Sequence, residues 1–137
     1  MNAHKMLQVA QDSQVAANML YQKHPRSCAS RYYYAAFQAS TAILQHIGET
    51  PPTVEGVQRE GWSHDDTPGM LLNNLKKLLT DRDQRKKLYT DLSWLYKMRV
   101  QADYEAEADF ENINTSDIRK RSNYVVKVAI ETVSRGK

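Results

Sequence analysis

Apolar side chains recur every three or four residues through most of the chain, a spacing typical of α-helices that bury one face. A first helix is predicted from about Ala3 to Lys23, with a narrow inward face of mostly small residues. Pro25 suits a first helical position, so a second helix is predicted from there to about Ile47, where Gly48 offers a C-terminal cap. No segment alternates apolar and polar residues for long enough to predict a sheet.

Three further helices are predicted beyond an irregular segment over residues 49–66, because most of the Gly and Pro residues fall between 48 and 69. Thr67 followed by Pro68 predicts a short helix that runs through Leu79. A long helix is predicted after the break at residues 80–83, continuing to about Asp109, and a last helix follows the capping residues at 114–117. The sequence therefore predicts a single all-α domain over residues 1–137, an antiparallel bundle of four or five helices.

The same spacing predicts which positions of each long helix face inward. In the second helix they are Cys28, Tyr32, Ala35, Ala39, Ile43 and Ile47. In the long helix they are Leu88, Leu92, Leu95, Arg99, Ala102 and Ala106. In the last helix they are Ile118, Ser122, Val125, Ala129 and Val133. One of these inward positions carries a full charge.

That residue is Arg99, which stands on an otherwise apolar helix face. Removing a guanidinium group from water costs several kcal/mol unless the group is paired, so Arg99 needs a partner. Asp103 lies one turn further along and can provide one. Two interpretations stay open. The two side chains form a structural ion pair inside the bundle or at an oligomer interface, or Arg99 faces a cleft or a second subunit and awaits an anion.

Tyr104 follows this pair directly, and its phenol can donate a hydrogen bond to a phosphate. On an unbroken helix, however, Tyr104 points about 140° away from Arg99. The two side chains can therefore reach one ligand only if the helix kinks or ends nearby, or if two subunits contribute.

Three successive tyrosines, Tyr32, Tyr33 and Tyr34, cover most of the circumference of the second helix. At least one should therefore be buried and one exposed. Tyr32 and Phe37 are expected to fill space opposite alanines, whereas an exposed tyrosine such as Tyr34 can stack on a nucleobase. Arg31 lies off the inward face, as either a second anion contact or a surface charge.

Charge and cysteine content narrow the class of protein only a little. The chain of 137 residues has 19 basic and 16 acidic side chains, a net charge of +3 that does not identify a nucleic-acid-binding protein. Basic residues cluster at 76–87 and at 119–121, as solvated helix faces or as a phosphate-facing patch. The single cysteine, Cys28, excludes an intrachain disulfide and favours a reducing compartment. Without a signal peptide or an apolar run of about 18 residues, a cytoplasmic location is expected.

Several kinds of chemistry lack their sequence motifs. There is no Gly-rich phosphate loop and no Cys-x-x-Cys pair, and His4, His24, His46 and His64 lack the spacing of metal ligands. Neither a metal nor a cofactor is therefore expected. His64 lies in the irregular segment, where functional residues are frequent, although a lone loop histidine is most often a surface residue.

Two segments of this sequence resemble the HEPN superfamily, the helical domains named from higher eukaryotes and prokaryotes nucleotide-binding. Residues 30–39 read SRYYYAAFQA, similar to the prokaryotic signature Ser-Arg-x-Tyr-Tyr-Ala-x-Phe-His-Ala. Residues 99–104 read RVQADY, similar to the later motif Arg-x-x-Ala-Asp-Tyr. His64 corresponds to a histidine that the family tends to have in its central loop. The order and lengths of the predicted helices agree across nearly the whole chain.

The resemblance implies an antiparallel bundle that forms a homodimer, with the arginines of two long helices meeting in a cleft. Catalytic HEPN members are metal-independent endoribonucleases, many of them toxins of toxin–antitoxin or defence systems. In them arginine stabilises the charged phosphorane, and a histidine four to six residues later orients or activates the 2′-hydroxyl. The resemblance thus implies catalytic roles for Arg99, Asp103 and Tyr104 and RNA contacts for Arg31, Tyr34 and His64.

This sequence departs from the catalytic pattern at two positions, with Tyr104 five residues after Arg99 and Gln38 in place of the second-helix histidine. A tyrosine titrates near pH 10, so Tyr104 is a donor and a poor base at neutral pH. Two hypotheses therefore stand: a metal-independent endoribonuclease, or a non-catalytic module that binds nucleotide, RNA or a partner protein. Some HEPN proteins pair with a minimal nucleotidyltransferase antitoxin that adenylylates a tyrosine near the arginine motif. Here that tyrosine would be Tyr104.

Overall fold

The computed structural model describes residues 2–51, 53–54, 57–58, 61–74, 81–110 and 113–135. Within these ranges the chain forms five helices: α1 (Ala3–Leu20), α2 (Pro25–His46), α3 (Thr67–Asn74), α4 (Arg82–Tyr104) and α5 (Thr115–Arg135). The all-α prediction is confirmed. Between α2 and α3, β1 (Thr53–Val54) pairs antiparallel with β2 (Val57–Gln58), a minimal hairpin that the sequence pattern does not predict. Two residues a strand are too few for a period of two to be visible.

Helix α2 lies at the centre of the bundle and contacts each of the other four helices. Its small side chains permit close approach, and those at Ala35, Ala36 and Ala39 are fully buried. Gly48 follows the end of α2 and has a left-handed backbone with φ of 84°. This agrees with its predicted role as the C-terminal cap. Its N–H donates to the carbonyl of Gln45 at 3.0 Å, and the next N–H donates to the carbonyl of Leu44 at 2.9 Å. These two bonds form a Schellman motif.

The predicted inward faces of α4 and α5 are confirmed over most of their length. All five inward positions of α5 are buried, and Ser122 Oγ donates a hydrogen bond to the backbone carbonyl of Tyr32 at 2.6 Å. Leu88, Leu92 and Leu95 of α4 are buried as well. Their burial fixes the rotation of α4, so Arg99, one turn beyond Leu95, faces α2.

The predicted end of α4 at Asp109 is wrong, because the helix ends at Tyr104. Arg26, in the first turn of α2, binds the carbonyl groups at that end. Its Nη1 donates to the backbone oxygens of Gln101, Ala102 and Glu105 at 3.2, 3.0 and 3.0 Å, and its Nη2 donates to those of Ala106 and Ala108 at 3.0 and 2.7 Å. One side chain thus donates to carbonyls that a continuing helix would use internally, and those of Gln101, Glu105 and Ala108 also accept from a backbone N–H. Ala106, predicted to face inward, is exposed as a result.

Two other helix ends differ from the prediction. Helix α1 ends at Leu20 instead of Lys23, because Gln22 adopts a left-handed backbone with φ of 66°. Helix α3 is described only as far as Asn74, and its predicted extension through Leu79 lies outside the described residues.

Cys28 is a core residue, as its position on the inward face of α2 predicts. Burial raises the pKa of its thiol to about 11, although the positive charge of Arg119 acts in the opposite direction. The thiol therefore stays protonated at neutral pH.

Candidate functional site

Arg99 is held by polar partners from two helices. Its Nη2 donates to Tyr34 Oη on α2 at 2.9 Å. Its Nε lies 3.1 Å from Asp103 Oδ2 on α4, an ion pair in which the N–H is not directed well enough to count as a hydrogen bond. Ser30 Oγ donates to the same carboxylate oxygen at 3.4 Å. The Arg99 side chain is 14% exposed, so it is largely enclosed and still reachable from solvent.

A charged residue on an apolar helix face can find its partner in a second subunit, but Arg99 finds its partners within its own chain. Tyr34 and Asp103 belong to the same chain, so Arg99 does not by itself require a second subunit. Burial lowers the pKa of the guanidinium group, but Tyr34, Tyr104 and Asp103 outweigh that effect and raise the pKa above its ordinary value. Arg99 therefore stays charged throughout the accessible pH range.

Tyr104 is the last residue of α4 and meets Arg99 within one chain. The guanidinium carbon of Arg99 lies 5.4 Å from the ring centroid of Tyr104, within cation–π range. Of the geometries that would bring these two side chains to one ligand, a helix that ends nearby is the one observed. Tyr104 is 72% exposed, so its hydroxyl is accessible to a ligand or to a modifying enzyme.

Tyr34 lies between two cations. The guanidinium carbon of Arg31, an exposed residue, is 5.2 Å from the Tyr34 ring centroid, and that of Arg99 is 5.4 Å from it. The expectation that one of the three tyrosines is exposed is wrong. Tyr32 and Tyr33 are buried and Tyr34 is half-buried, because the two arginines cover part of its ring. The structure thus brings Arg31, Tyr34 and Arg99 together with Tyr104.

His64 is not a surface residue but lies half-buried among aromatic rings. Its ring centroid is 4.4 Å from that of Phe37 and 5.5 Å from that of Tyr96, to which it is nearly parallel. It is 6.1 Å from the ring centroid of Tyr34, next to the Arg99 cluster. Its Nδ1 forms a hydrogen bond with Tyr33 Oη.

Burial lowers the pKa of His64, and the positive charge of Arg99 lowers it further, while Asp65 acts in the opposite direction. The imidazole is therefore neutral at neutral pH, with one N–H and one lone pair. Burial also raises the pKa of Tyr33 far above its ordinary value, so its hydroxyl keeps its proton and complements either tautomer. The ring nitrogen that Tyr33 does not bind can thus accept or donate a proton.

The lowered pKa of His64 predicts a loss of stability in acid. Between the ordinary histidine pKa of about 6.5 and the lowered folded value, the unfolded chain binds a proton that the folded chain does not. The free energy of unfolding should therefore fall as the pH drops below about 6.5. Urea unfolding of wild type and His64→Gln across this range checks the expectation, with His4→Gln as the exposed-histidine control. An unchanged pH dependence in His64→Gln would contradict it.

Lys86 and Lys87 of the first basic cluster and Lys120 and Arg121 of the second line a groove of about 600 Å³ between α4 and α5, together with three carboxylates. Lys76 and Lys77 of the first cluster lie outside the described residues. Asp91 is buried there and forms ion pairs with Lys87 at 2.8 Å and Arg121 at 3.3 Å. Asp117 forms a second ion pair with Arg121 at 3.4 Å. These pairings favour the interpretation of the clusters as charged helix faces over that of a phosphate-binding patch.

The sequence pattern did not identify three residues that position the site. Tyr96 precedes Arg99 by three residues and so shares its face of α4, a signal that the spacing carries. Tyr33, which binds His64, lies within the matched tyrosine run but has no predicted role. Arg26 has no sequence signal, because its carbonyl partners lie 75 or more residues away.

Among the described residues, no cluster of His, Cys, Asp or Glu side chains could hold a metal ion. Within the same residues, no helix is both long enough and apolar enough to cross a membrane. Comparison of the chain with protein-family models gives no match, and comparison with curated proteins gives none either.

Proposed function

We propose that this chain is an RNA-directed protein of the HEPN type, and that it cleaves RNA without a metal ion. The observation that carries the proposal is the convergence of Arg31, Tyr34, Arg99 and Tyr104 at one accessible place on the chain. Two guanidinium groups and two phenols can together bind a phosphodiester through charge and hydrogen bonds. The resemblance in residues 30–39 and 99–104 points to the same ligand.

In this proposal Arg99 binds the scissile phosphate and stabilises the negative charge that builds up on its oxygens. Tyr34 and Asp103 position the guanidinium, since each contacts a different nitrogen of it. The Tyr104 hydroxyl donates to a phosphate oxygen, and Arg31 adds a second positive charge at the outer edge. Arg99 is paired with Asp103, so a bound phosphate must share the guanidinium group with that carboxylate. The Asp103 side chain is 32% exposed and has room to move aside.

His64 is the group best suited to proton transfer, because a phenol is a poor base and the imidazole of His64 is neutral at pH 7. In the proposed step the 2′-hydroxyl gives its proton to the imidazole as its oxygen attacks phosphorus. The bond from phosphorus to the 5′-oxygen breaks, and that oxygen takes a proton from the imidazolium or from water. The products are a 2′,3′-cyclic phosphate and a 5′-hydroxyl end.

The test is incubation of purified protein with structured RNA in excess EDTA. We expect cleavage that leaves 2′,3′-cyclic phosphate ends, and a rate about 100-fold lower for His64→Gln with RNA affinity retained. His46→Gln is the control, as a histidine outside the aromatic cluster. Binding without cleavage would refute the enzymatic part of the proposal, and absence of binding would refute all of it.

One observation favours the non-catalytic alternative. Arg99 already has partners in Tyr34 and Asp103, as a structural ion pair between packed helices would. In that case the protein binds nucleotide, RNA or a partner protein without reacting, consistent with Tyr104 at the position of the family's histidine. RNA bound but not cut in EDTA is the result this alternative expects.

Tyr104→Phe is expected to weaken RNA binding about 10- to 100-fold, the size of one hydrogen bond to a charged group. The ring that faces Arg99 remains, so the fold should not change. Because Tyr104 is 72% exposed, Tyr104→Ala should likewise cost little stability. Fluorescence anisotropy with labelled RNA measures the affinity, and Tyr89→Phe, a second exposed tyrosine of α4, is the control. An unchanged affinity in Tyr104→Phe would remove the hydroxyl from the site.

The proposal extends to partners that the resemblance implies: a homodimer, and a minimal nucleotidyltransferase antitoxin in a cytoplasmic toxin–antitoxin or defence system. Tyr104 is exposed and lies beside Arg99, so an adenylyl group on its oxygen would place a bulky anion at the phosphate position. Co-expression with a neighbouring nucleotidyltransferase and mass analysis of Tyr104 test the modification.

Light scattering tests the dimer, which a monomer at micromolar concentration would exclude.

A further inference from the structure

The ring of Tyr104 is a second functional group on that residue, distinct from its hydroxyl. Tyr104 is largely exposed at the end of α4. The guanidinium carbon of Arg99 lies 5.4 Å from the ring centroid and covers one side of the ring. An exposed aromatic ring beside a cation is the combination with which proteins bind unpaired nucleotides, because the ring stacks on the base and the cation binds the phosphate.

Other tyrosines near Arg99 have less surface to offer. Tyr33 is buried. Tyr34 is half-buried, with the guanidinium carbons of Arg31 and Arg99 at 5.2 and 5.4 Å from its ring centroid. Of these three tyrosines, Tyr104 is the one whose ring has room for a nucleobase.

The position of the Tyr104 ring is set by the backbone and by the neighbouring cation. Arg26 Nη1 donates to the carbonyls of Ala102 and Glu105, each at 3.0 Å, on both sides of Tyr104 along the chain. The cation–π contact with Arg99 then orients the ring itself. A ring that is ordered before binding loses little conformational entropy when a base stacks on it.

Arg99 can bind a phosphate while its guanidinium group stays against this ring. A guanidinium has five N–H donors, and among the described residues Tyr34 and Asp103 contact Nη2 and Nε. Further donors are therefore available to phosphate oxygens. In a nucleotide one sugar separates the base from its phosphate, so a base can reach the Tyr104 ring while the phosphate lies at Arg99.

We propose that the Tyr104 ring stacks on an unpaired purine base of the RNA strand whose phosphate lies at Arg99, an inference that rests on the proposed function. The base lies on the side of the ring opposite the guanidinium. The hydroxyl, at the edge of the ring, stays free to donate to the phosphate. Purines are favoured because their larger face stacks more strongly. A base inside a duplex is covered by its neighbours, so the site selects nucleotides in loops or single strands.

The test compares two ligands and two variants. Adenosine 5′-monophosphate and ribose 5-phosphate carry the same phosphate, with and without a base. Tyr104→Phe and Tyr104→Leu both lack the hydroxyl, but only the former keeps an aromatic ring. In NMR titrations, wild type and Tyr104→Phe should bind adenosine 5′-monophosphate with a Kd about tenfold below that of ribose 5-phosphate. In Tyr104→Leu the two Kd values should be equal.

The control is Tyr89→Leu, which removes another exposed tyrosine of α4 and should keep the tenfold ratio. Tyr104→Ser replaces Tyr104→Leu if circular dichroism finds the latter unfolded. Equal Kd values of the two ligands for wild type would overturn the proposal. A tenfold ratio that persists without the Tyr104 ring would place the base elsewhere and would overturn it as well.

RNA binding separates this inference from the proposed function. Arg99-dependent binding of oligoadenylate that Tyr104→Leu weakens about tenfold more than Tyr104→Phe supports both. Arg99-dependent binding that the two variants weaken equally, or binding of duplex RNA as tight as that of oligoadenylate, refutes the stacking alone. Ring-dependent binding of adenosine 5′-monophosphate without any RNA binding refutes the proposed function, and with it the assignment of the base to an RNA strand.

Discussion

Replacing Arg99 with alanine is expected to lower the rate of RNA cleavage about 100-fold and RNA affinity about tenfold or more. The reason is that Arg99 is the enclosed cation of the site and keeps its charge at all accessible pH values. Arg99→Lys should recover only part of the affinity, because an ammonium group cannot contact the phosphate, Tyr34 and Asp103 in the fixed plane that a guanidinium provides. Anisotropy with single-stranded RNA measures the affinity. The slope of the logarithm of the binding constant against the logarithm of the salt concentration should fall by about 1, the contribution of one phosphate contact.

The control for this variant is Lys97→Ala, which removes an exposed charge from the same helix. Far-UV circular dichroism and thermal unfolding establish whether the variant folds. If Arg99→Ala unfolds, the structural ion pair with Asp103 is the main role of Arg99. If it folds and binds RNA like Lys97→Ala, Arg99 does not bind phosphate.

Replacing Arg26 with alanine is expected to lower the free energy of unfolding by about 3 kcal/mol, a large loss for an arginine at the edge of the bundle. Five backbone carbonyls at and just beyond the end of α4 each lose a hydrogen bond at once, and those of Gln101, Glu105 and Ala108 keep one backbone donor each. Urea unfolding measures the loss, and hydrogen exchange should become faster in the last turn of α4. Arg26→Lys should restore little, since one ammonium group cannot reach the same set of oxygens.

Arg26 binds backbone carbonyls on both sides of Tyr104, so Arg26→Ala should weaken RNA binding although Arg26 is not among the proposed phosphate-binding residues. The matched control is Lys23→Ala, an exposed cation just before α2. If Arg26→Ala is as stable as this control, the carbonyl contacts do not determine the end of the helix.

The period of the apolar residues was enough to predict the helices and most of their inward faces. In α5 every predicted inward residue is buried, because one helix face packing on one core is a local property of the sequence. The end of α4 could not be predicted in this way. It depends on Arg26, which is remote in sequence and reaches the carbonyls only after α2 and α4 have packed.

The candidate site likewise contains one contact that local spacing predicts and others that depend on tertiary structure. The pair of Arg99 and Asp103 follows from a spacing of four residues on one helix. The contact from Arg99 to Tyr34 joins two residues that are 65 positions apart and lie on different helices, and no local rule predicts it. His64 lies in a connection without periodicity, so its packing against Tyr33 and Tyr96 depends on tertiary structure alone.

The raised pKa of Cys28 makes the native chain convenient for site-specific chemical labelling. With a pKa of about 11, roughly one thiol in ten thousand is ionised at pH 7, and maleimides and iodoacetamides react with the thiolate. A second cysteine placed at an exposed position such as Lys97 should therefore take up a fluorophore or spin label while Cys28 stays unmodified. Slow modification of Cys28 itself would then time the transient opening of the bundle around α2.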